Sequence, residues 1–148
     1  MRALLQRVTS ASVSSEGKLL GEIGPGLLVL LGITHDDDEE KAARLVAKTV
    51  KLRIFGDEQG KMNRSLLDVD GSLLVISQFT LFANARSGNR PSYSGAARPD
   101  HAAPLVDRFV ELAREQGVTV ETGEFGADMQ VSLLNDGPVT ILLDTDEL

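Results

Sequence analysis

From Arg2 to Ser15 the chain reads "RALLQRVTSASVSS", in which apolar and polar positions alternate well enough for a half-buried strand. Glu16-Gly17 punctuates it before "KLLGEI", so a hairpin is expected. After Gly24-Pro25-Gly26 the run "LLVLLGI" loses the alternation, which predicts a strand covered on both faces at the centre of a sheet. In "HDDDEEKAARLVAKTVKLR", Ala42, Leu45, Val46 and Val50 fall at helical spacing, with acids before them and cations after, the polarity that suits a helix macrodipole. "SLLVISQFTLF" reads as a second strongly apolar strand. "DHAAPLVDRFVELAREQG" reads as a second helix, with Leu105, Phe109 and Leu112 on one face, Pro104 in its first turn and Gly117 at its end. "MQVSLLN" and "VTILLD" close the chain as two further strands. Asp136-Gly137 between them is a strong hairpin signal, but Pro138 follows at once and cannot donate to a ladder.

Six or seven strands with two main helices, joined mostly by short turns, predict an α+β domain with a largely antiparallel sheet, curled or barrel-like. The 148 residues suit a single domain spanning 1–148, with no internal repeat and no linker. No apolar run approaches the roughly 18 residues of a membrane span, and "MRALLQRVTS" lacks the apolar core and cleavage site of a signal peptide, so a cytoplasmic protein is expected.

Charge qualifies the picture. Fifteen basic against 22 acidic side chains give a net charge of −7, which argues against gripping nucleic acid by bulk electrostatics. The distribution is uneven, however. Lys41 to Arg64 holds seven basic residues and two acidic ones, Arg86 to Pro99 holds three Arg and no acid, and the last 28 residues carry seven acids and no base. Either these are solvated faces that differ in sign, or a polyanion approaches from the middle of the sequence.

Several chemistries lack their residues. There is no Cys, hence no thiol nucleophile or Cys-based zinc site. His35 and His101 each stand at a helix start, where a capping or surface role is expected, and no G-x-S-x-G elbow is present. "GDEQGKMN" has the wrong spacing for a phosphate loop, and "DVDG" lacks the remaining ligands of a calcium loop. No metal or cofactor is expected. The informative stretch is Val75 to Tyr93, "VISQFTLFANARSGNRPSY", where Ser77, Gln78 and Thr80 interrupt an apolar strand before a loop with Arg86 and Arg90. Two readings stay open: a strand end whose hydroxyls bond locally, or a pocket wall with backbone N–H groups and a hydroxyl near a reacting carbonyl.

Taken together, "SQFTL" (Ser77–Leu81), "RPS" (Arg90–Ser92), "FGADM" (Phe125–Met129) and "NDGPVT" (Asn135–Thr140) closely resemble the D-aminoacyl-tRNA deacylase family. "LRIFGDEQGKMNRS", Arg7 and the central "GLLVLLGI" add to the likeness, which runs in order along essentially the whole chain. The resemblance implies an editing hydrolase that cleaves the ester joining a D-amino acid, or glycine on tRNA-Ala, to the terminal adenosine of tRNA. It also implies a homodimer with active sites at the subunit interface and the tRNA acceptor end as partner. On matching positions, Ser77, Gln78, Phe79 and Thr80 would line the catalytic pocket, with Thr80 the side chain nearest the reaction. Gly137-Pro138 would form a cis peptide entering the partner's pocket, fixed by Arg7, whose carbonyls exclude an L side chain. Phe125, Met129 and Ala102 would pack the adenine, and the tRNA 2′-OH would assist hydrolysis. Asn84 and Ser87 stand where many relatives carry Asp and Lys, so the loop has one cation fewer. A different class of protein, a binding domain whose "SGNRPSYSG" loop captures a small anion or peptide, remains the alternative.

Overall fold

The computed structural model describes all 148 residues. The alternating start forms a long strand, β1 (Arg2–Ser15), which turns at Glu16-Gly17 into β2 (Lys18–Ile23), the expected hairpin. β3 (Gly26–Gly32) runs antiparallel to the first half of β1 and parallel to β6 (Ser72–Ser77) on its other side. It is central, as its unbroken apolar run predicts: Leu27, Val29 and Leu31 face the helices, and Leu28 faces the inside of the curled sheet. β6 divides in the same way, Leu73 and Val75 to one side, Leu74 and Ile76 to the other.

Helix α1 (Glu39–Lys51) is capped by Asp38, whose carboxylate accepts from the Lys41 N–H at 2.9 Å, with Glu39 and Glu40 in its first turn and Lys48 and Lys51 in its last. Helix α2 (Pro99–Glu115) begins at Pro99. Pro104 therefore lies inside the helix, not in its first turn; Pro99 takes the position that needs no donor. The two helices cover one face of the sheet, and Leu45, Val46, Phe109 and Val110 complete a core of 26 buried residues. A separate core of seven, including Val8, Val13, Leu74 and Ile76, fills the inside of the curl.

Three short strands escape a periodicity argument: β4 (Phe55–Gly56) and β5 (Met62–Arg64) form a small hairpin, and β7 (Val120–Thr122) pairs parallel to β6. The sheet runs β2-β1-β3-β6-β7, and its ends nearly meet, since a Cβ on Gly21 of β2 would lie 2.8 Å from the Thr122 carbonyl of β7. The result is a nearly closed, mostly antiparallel barrel.

Two expectations fail. The strand predicted through "SQFTLF" stops at Ser77, and Phe79–Phe82 form a single 3-10 turn. Asp136-Gly137 makes no hairpin either: β8 (Gln130–Asp144) is one continuous strand, antiparallel to β1 along nearly its whole length. Gln6 pairs Thr140 and Val8 pairs Asn135, so Asp136, Gly137, Pro138 and Val139 stand opposite Arg7 alone. The turn signal is spent on a bulge, because the pairing of both flanks with β1 outweighs the local preference to reverse.

Candidate active site

Where β6 ends, the chain must turn sharply beneath β3. The Gln78 N–H donates to the Leu31 carbonyl at 2.8 Å, the last tie to the sheet, and the 3-10 turn then crosses Gly32. A Cβ there would stand 3.1 Å from the Gln78 carbonyl oxygen and from the Leu81 and Phe82 side chains, so glycine lets the turn approach closely. Arg2 fixes the turn from outside: Nη1 donates to the Leu81 carbonyl at 2.8 Å, the guanidinium stacks 4.5 Å from the Phe82 ring centre, and Nε pairs with Asp144 at 3.0 Å. Burial pushes the Asp144 carboxyl up, but the Asp146 N–H and Arg2 outweigh it and hold the group below its ordinary range. As the opening residues of a 3-10 turn, Phe79 and Thr80 present N–H groups without intrahelical partners.

Phe79, which opens that turn, borders a cavity of about 550 Å³ at one end of the barrel. Ile76, Met129 and Val131 continue the barrel's inner core into it, Ile33, Ala97 and Ala102 form an apolar wall, and Phe125 closes another side. Eleven of its 15 lining residues are hydrophobic, the composition of a site that takes a flat, largely apolar group and orients it with few polar contacts. Phe79 and Tyr93, both exposed and both on its lining, meet edge to face with ring centres 5.1 Å apart. A smaller cleft of about 280 Å³ shares Ser77 and Phe125 and is edged by Asp107, Glu111 and Glu124 together with Arg114.

Of the residues singled out in the sequence, Ser77, Gln78, Phe79, Ala102, Phe125 and Met129 all line the larger cavity. Thr80 does not; its hydroxyl accepts a short hydrogen bond from the Gln78 amide. Arg7, Gly137 and Pro138 lie elsewhere, at the bulge. There the Arg7 guanidinium spans two carbonyls, Asp136 at 3.0 Å from Nε and Ile54 at 2.7 Å from Nη1. The Asn135 amide closes the base of the bulge by donating to the Arg7 and Val139 carbonyls at 2.9 and 3.0 Å. The Gly137-Pro138 peptide is cis, and both residues are exposed. Neither His lines the cavity: His35 Nε2 bonds the Ser94 carbonyl and His101 Nε2 the Asp37 carbonyl, at 2.6 and 2.9 Å, so the first ties two loops together and the second ties the start of α2 to the loop before α1. Sequence reasoning gave Tyr93 and Arg2 no role. A lone Tyr in a polar loop and a basic residue at a strand start carry no local signal of what they meet.

The fold and cavity define a class: a single-domain barrel with an apolar pocket at one end, bordered by the start of a 3-10 turn and by no nucleophile–histidine pair. The family described as D-Tyr-tRNA(Tyr) deacylase matches residues 4–144. A D-aminoacyl-tRNA deacylase of Thermomicrobium roseum is 60% identical over 148 residues, covering 100% of this chain and 96% of that one. One of Thermus aquaticus is 56% identical over 147 residues, covering 99% and 97%. Among solved structures, the c-Myc DNA Unwinding Element Binding Protein superposes with a TM-score of 0.91 at 40% identity, covering 97% of this chain and 98% of that one. A probable eukaryotic D-amino acid tRNA deacylase, at 19% identity and a TM-score of 0.84 over 96% and 97% of the two chains, shares the fold. This chain belongs to the D-Tyr-tRNA(Tyr) deacylase family.

Proposed function

We propose how this chain performs the deacylation. As a family member it is a D-aminoacyl-tRNA deacylase, a carboxylic ester hydrolase acting on aminoacyl-tRNA. The terminal adenine packs among Phe125, Met129 and Ala102, and the ester carbonyl lies over the 3-10 turn. Water adds to the carbonyl carbon, and the oxyanion that develops is met by the Phe79 and Thr80 N–H groups. Collapse of the tetrahedral intermediate breaks the bond to the ribose 3′-oxygen, which leaves with a proton as free tRNA. The neighbouring 2′-OH of the substrate orients the attacking water, a role it can fill because it is held beside the ester in every bound complex. Glycine esters, which have no side chain to reject, are cleaved by the same route.

The observation that carries the selectivity is the separation of the site residues. Val131 lines the cavity, and Gly137 lies six residues further along the same strand, about 20 Å at the rise of extended chain. A protomer's own bulge is too far away to act on its own cavity. A second copy brings them together: in a homodimer the Gly137 and Pro138 carbonyls of one subunit enter the other's cavity and occupy the space an L side chain needs, while a D side chain points away. Selectivity is thus by rejection.

The test is ester loss from D-tyrosyl-tRNA and L-tyrosyl-tRNA at catalytic protein concentration. Rapid release of the D-amino acid alone is expected, with glycyl-tRNA-Ala also cleaved. Equal rates for the two enantiomers would refute the gate, and no release of either would refute the catalytic reading.

A further inference from the structure

One face of α1 has no role in the folding or chemistry above. Arg44, Lys48 and Lys51 recur at helical spacing, Arg53 follows just past the helix end, and all four are exposed. They border a shallow hollow of about 760 Å³ with Leu148. Arg44 donates to the Thr145 carbonyl and Arg53 to that of Asn63, both neutral partners, and Asp68 lies close enough to Arg53 to offset part of its charge. None of the four has a carboxylate within 4.0 Å, although Arg108 on α2 is neutralised by Glu39, Glu111 and Glu115 at 3.8, 3.1 and 3.6 Å. The macrodipole accounts for Lys48 and Lys51 in the last turn, but not for Arg44 in mid-helix or Arg53 beyond it. Like charges at this spacing repel one another, and an anion laid along the row would relieve that repulsion.

Its position narrows the choice of anion. The Arg7 guanidinium that holds the bulge also holds the Ile54 carbonyl, one residue past Arg53. The cationic face and the bulge are therefore braced together, and no residue of α1 lines the protomer's own cavity. We infer that this face holds the phosphate backbone of the acceptor arm of the tRNA whose 3′ end occupies the partner's cavity. It rests on the reading that the bulge enters that cavity. Each substrate is then gripped by one subunit and hydrolysed in the other. The eight residues from Arg44 to Lys51 cover about 10 Å of helix, room for about three phosphates of one strand. A net charge of −7 no longer opposes such a contact, because the contact is local.

The experiment measures kcat/KM for D-tyrosyl-tRNA against salt concentration. Removing two phosphate contacts in Lys48→Ala/Lys51→Ala is expected to flatten the slope of log(kcat/KM) on log salt by roughly 1.5. Arg108→Gln, a cation already neutralised, should leave the slope as it was; a flattening there, or the parent slope in the double variant, would overturn the inference. Mixed dimers purified through two different tags then assign the subunit. In the first, one subunit carries the two Lys→Ala changes and the other carries Ala96→Trp, which fills its cavity; the working cavity is served by the intact cations of its partner, and the parent slope is expected. In the second, all three changes lie on one subunit opposite a parent subunit, and the flattened slope is expected. The reverse pair of results overturns the cross-subunit assignment. Failure of the tagged subunits to co-purify refutes the dimer beneath it, and a parent protein inactive on D-tyrosyl-adenosine ester refutes the deacylation reading itself.

Discussion

Replacing Gly137 by alanine separates the shape of the bulge from its chemistry. Gly137 sits at φ +136°, a region in which L residues are strained, and an added Cβ would lie 2.8 Å from Val139 Cγ2, 2.9 Å from the Val139 nitrogen and 3.2 Å from Arg7 Nη2. A non-glycine residue held in such a region costs on the order of 1–3 kcal/mol. The valine methyl can rotate away, but the Val139 nitrogen is backbone, and moving it disturbs the Asn135 amide that donates to the Val139 carbonyl at 3.0 Å. In a domain of this size each kcal/mol shifts the melting temperature by about 2–4 °C, so a fall of roughly 2–12 °C is expected. Thermal unfolding followed by circular dichroism reads the strain, and the ratio of D- to L-tyrosyl-tRNA hydrolysis on the same preparation reads the gate. Selectivity should fall even at temperatures where the variant is fully folded, because the displaced bulge no longer presents its carbonyls in register. A variant that melts with the parent and keeps the parent's selectivity would refute both the strain argument and the gate.

Phe109→Ala empties a fully buried position of the main core, at 0% exposure, and should cost about 3–5 kcal/mol in urea unfolding. Backbone N–H donation from Lys61 to Asp57, and from Ser65 to Asp68, holds both carboxyls below their ordinary range. Because the folded values are the lower ones, the stability they contribute is present above about pH 4, the ordinary carboxylate range, and is lost as pH falls through the folded values. Asp57→Asn should therefore flatten the acid limb of a stability–pH curve, and an unchanged limb would count against this linkage. Thr80→Ala should retain appreciable activity in single-turnover assays, whereas a 2′-deoxy terminal adenosine should remove it. The opposite pattern would assign the chemistry to the threonine hydroxyl.

The parts of the molecule legible in the sequence are those where local pattern and tertiary environment agree. β3 reads as buried on both faces and is. α1 announces its acidic start and its core face at Leu45 and Val46, and it forms with both, Asp38 among those acids serving as the cap. The Ser77 to Phe82 segment misleads because Phe79 and Leu81 look like strand interior, whereas Phe79 is 55% exposed in a turn. Apolar periodicity cannot tell a residue that packs a core from one that faces a ligand. Asp136-Gly137 misleads for a different reason: its turn chemistry is genuine, but the outcome is set by β1, more than a hundred residues away. Pro104 reads as a first-turn proline, but Pro99 is equally suited to open a helix and does so. The cavity residues were named through the likeness of their motifs to a known family, and spacing along the chain could not have gathered Ser77, Ala102, Phe125 and Met129 around one space.

The far side of β8 pairs with no strand of its own protomer. A flat edge of fifteen residues, with Leu134 and Leu142 exposed, is a template on which any extended chain could stack, and successive copies could add without end. The four residues opposite Arg7 cut that edge into two short stretches, Gln130–Asn135 and Thr140–Asp144, that are out of step with each other. A foreign strand that fits one stretch misses the other, so the four residues of the bulge break up this edge as a template for fibrous self-assembly.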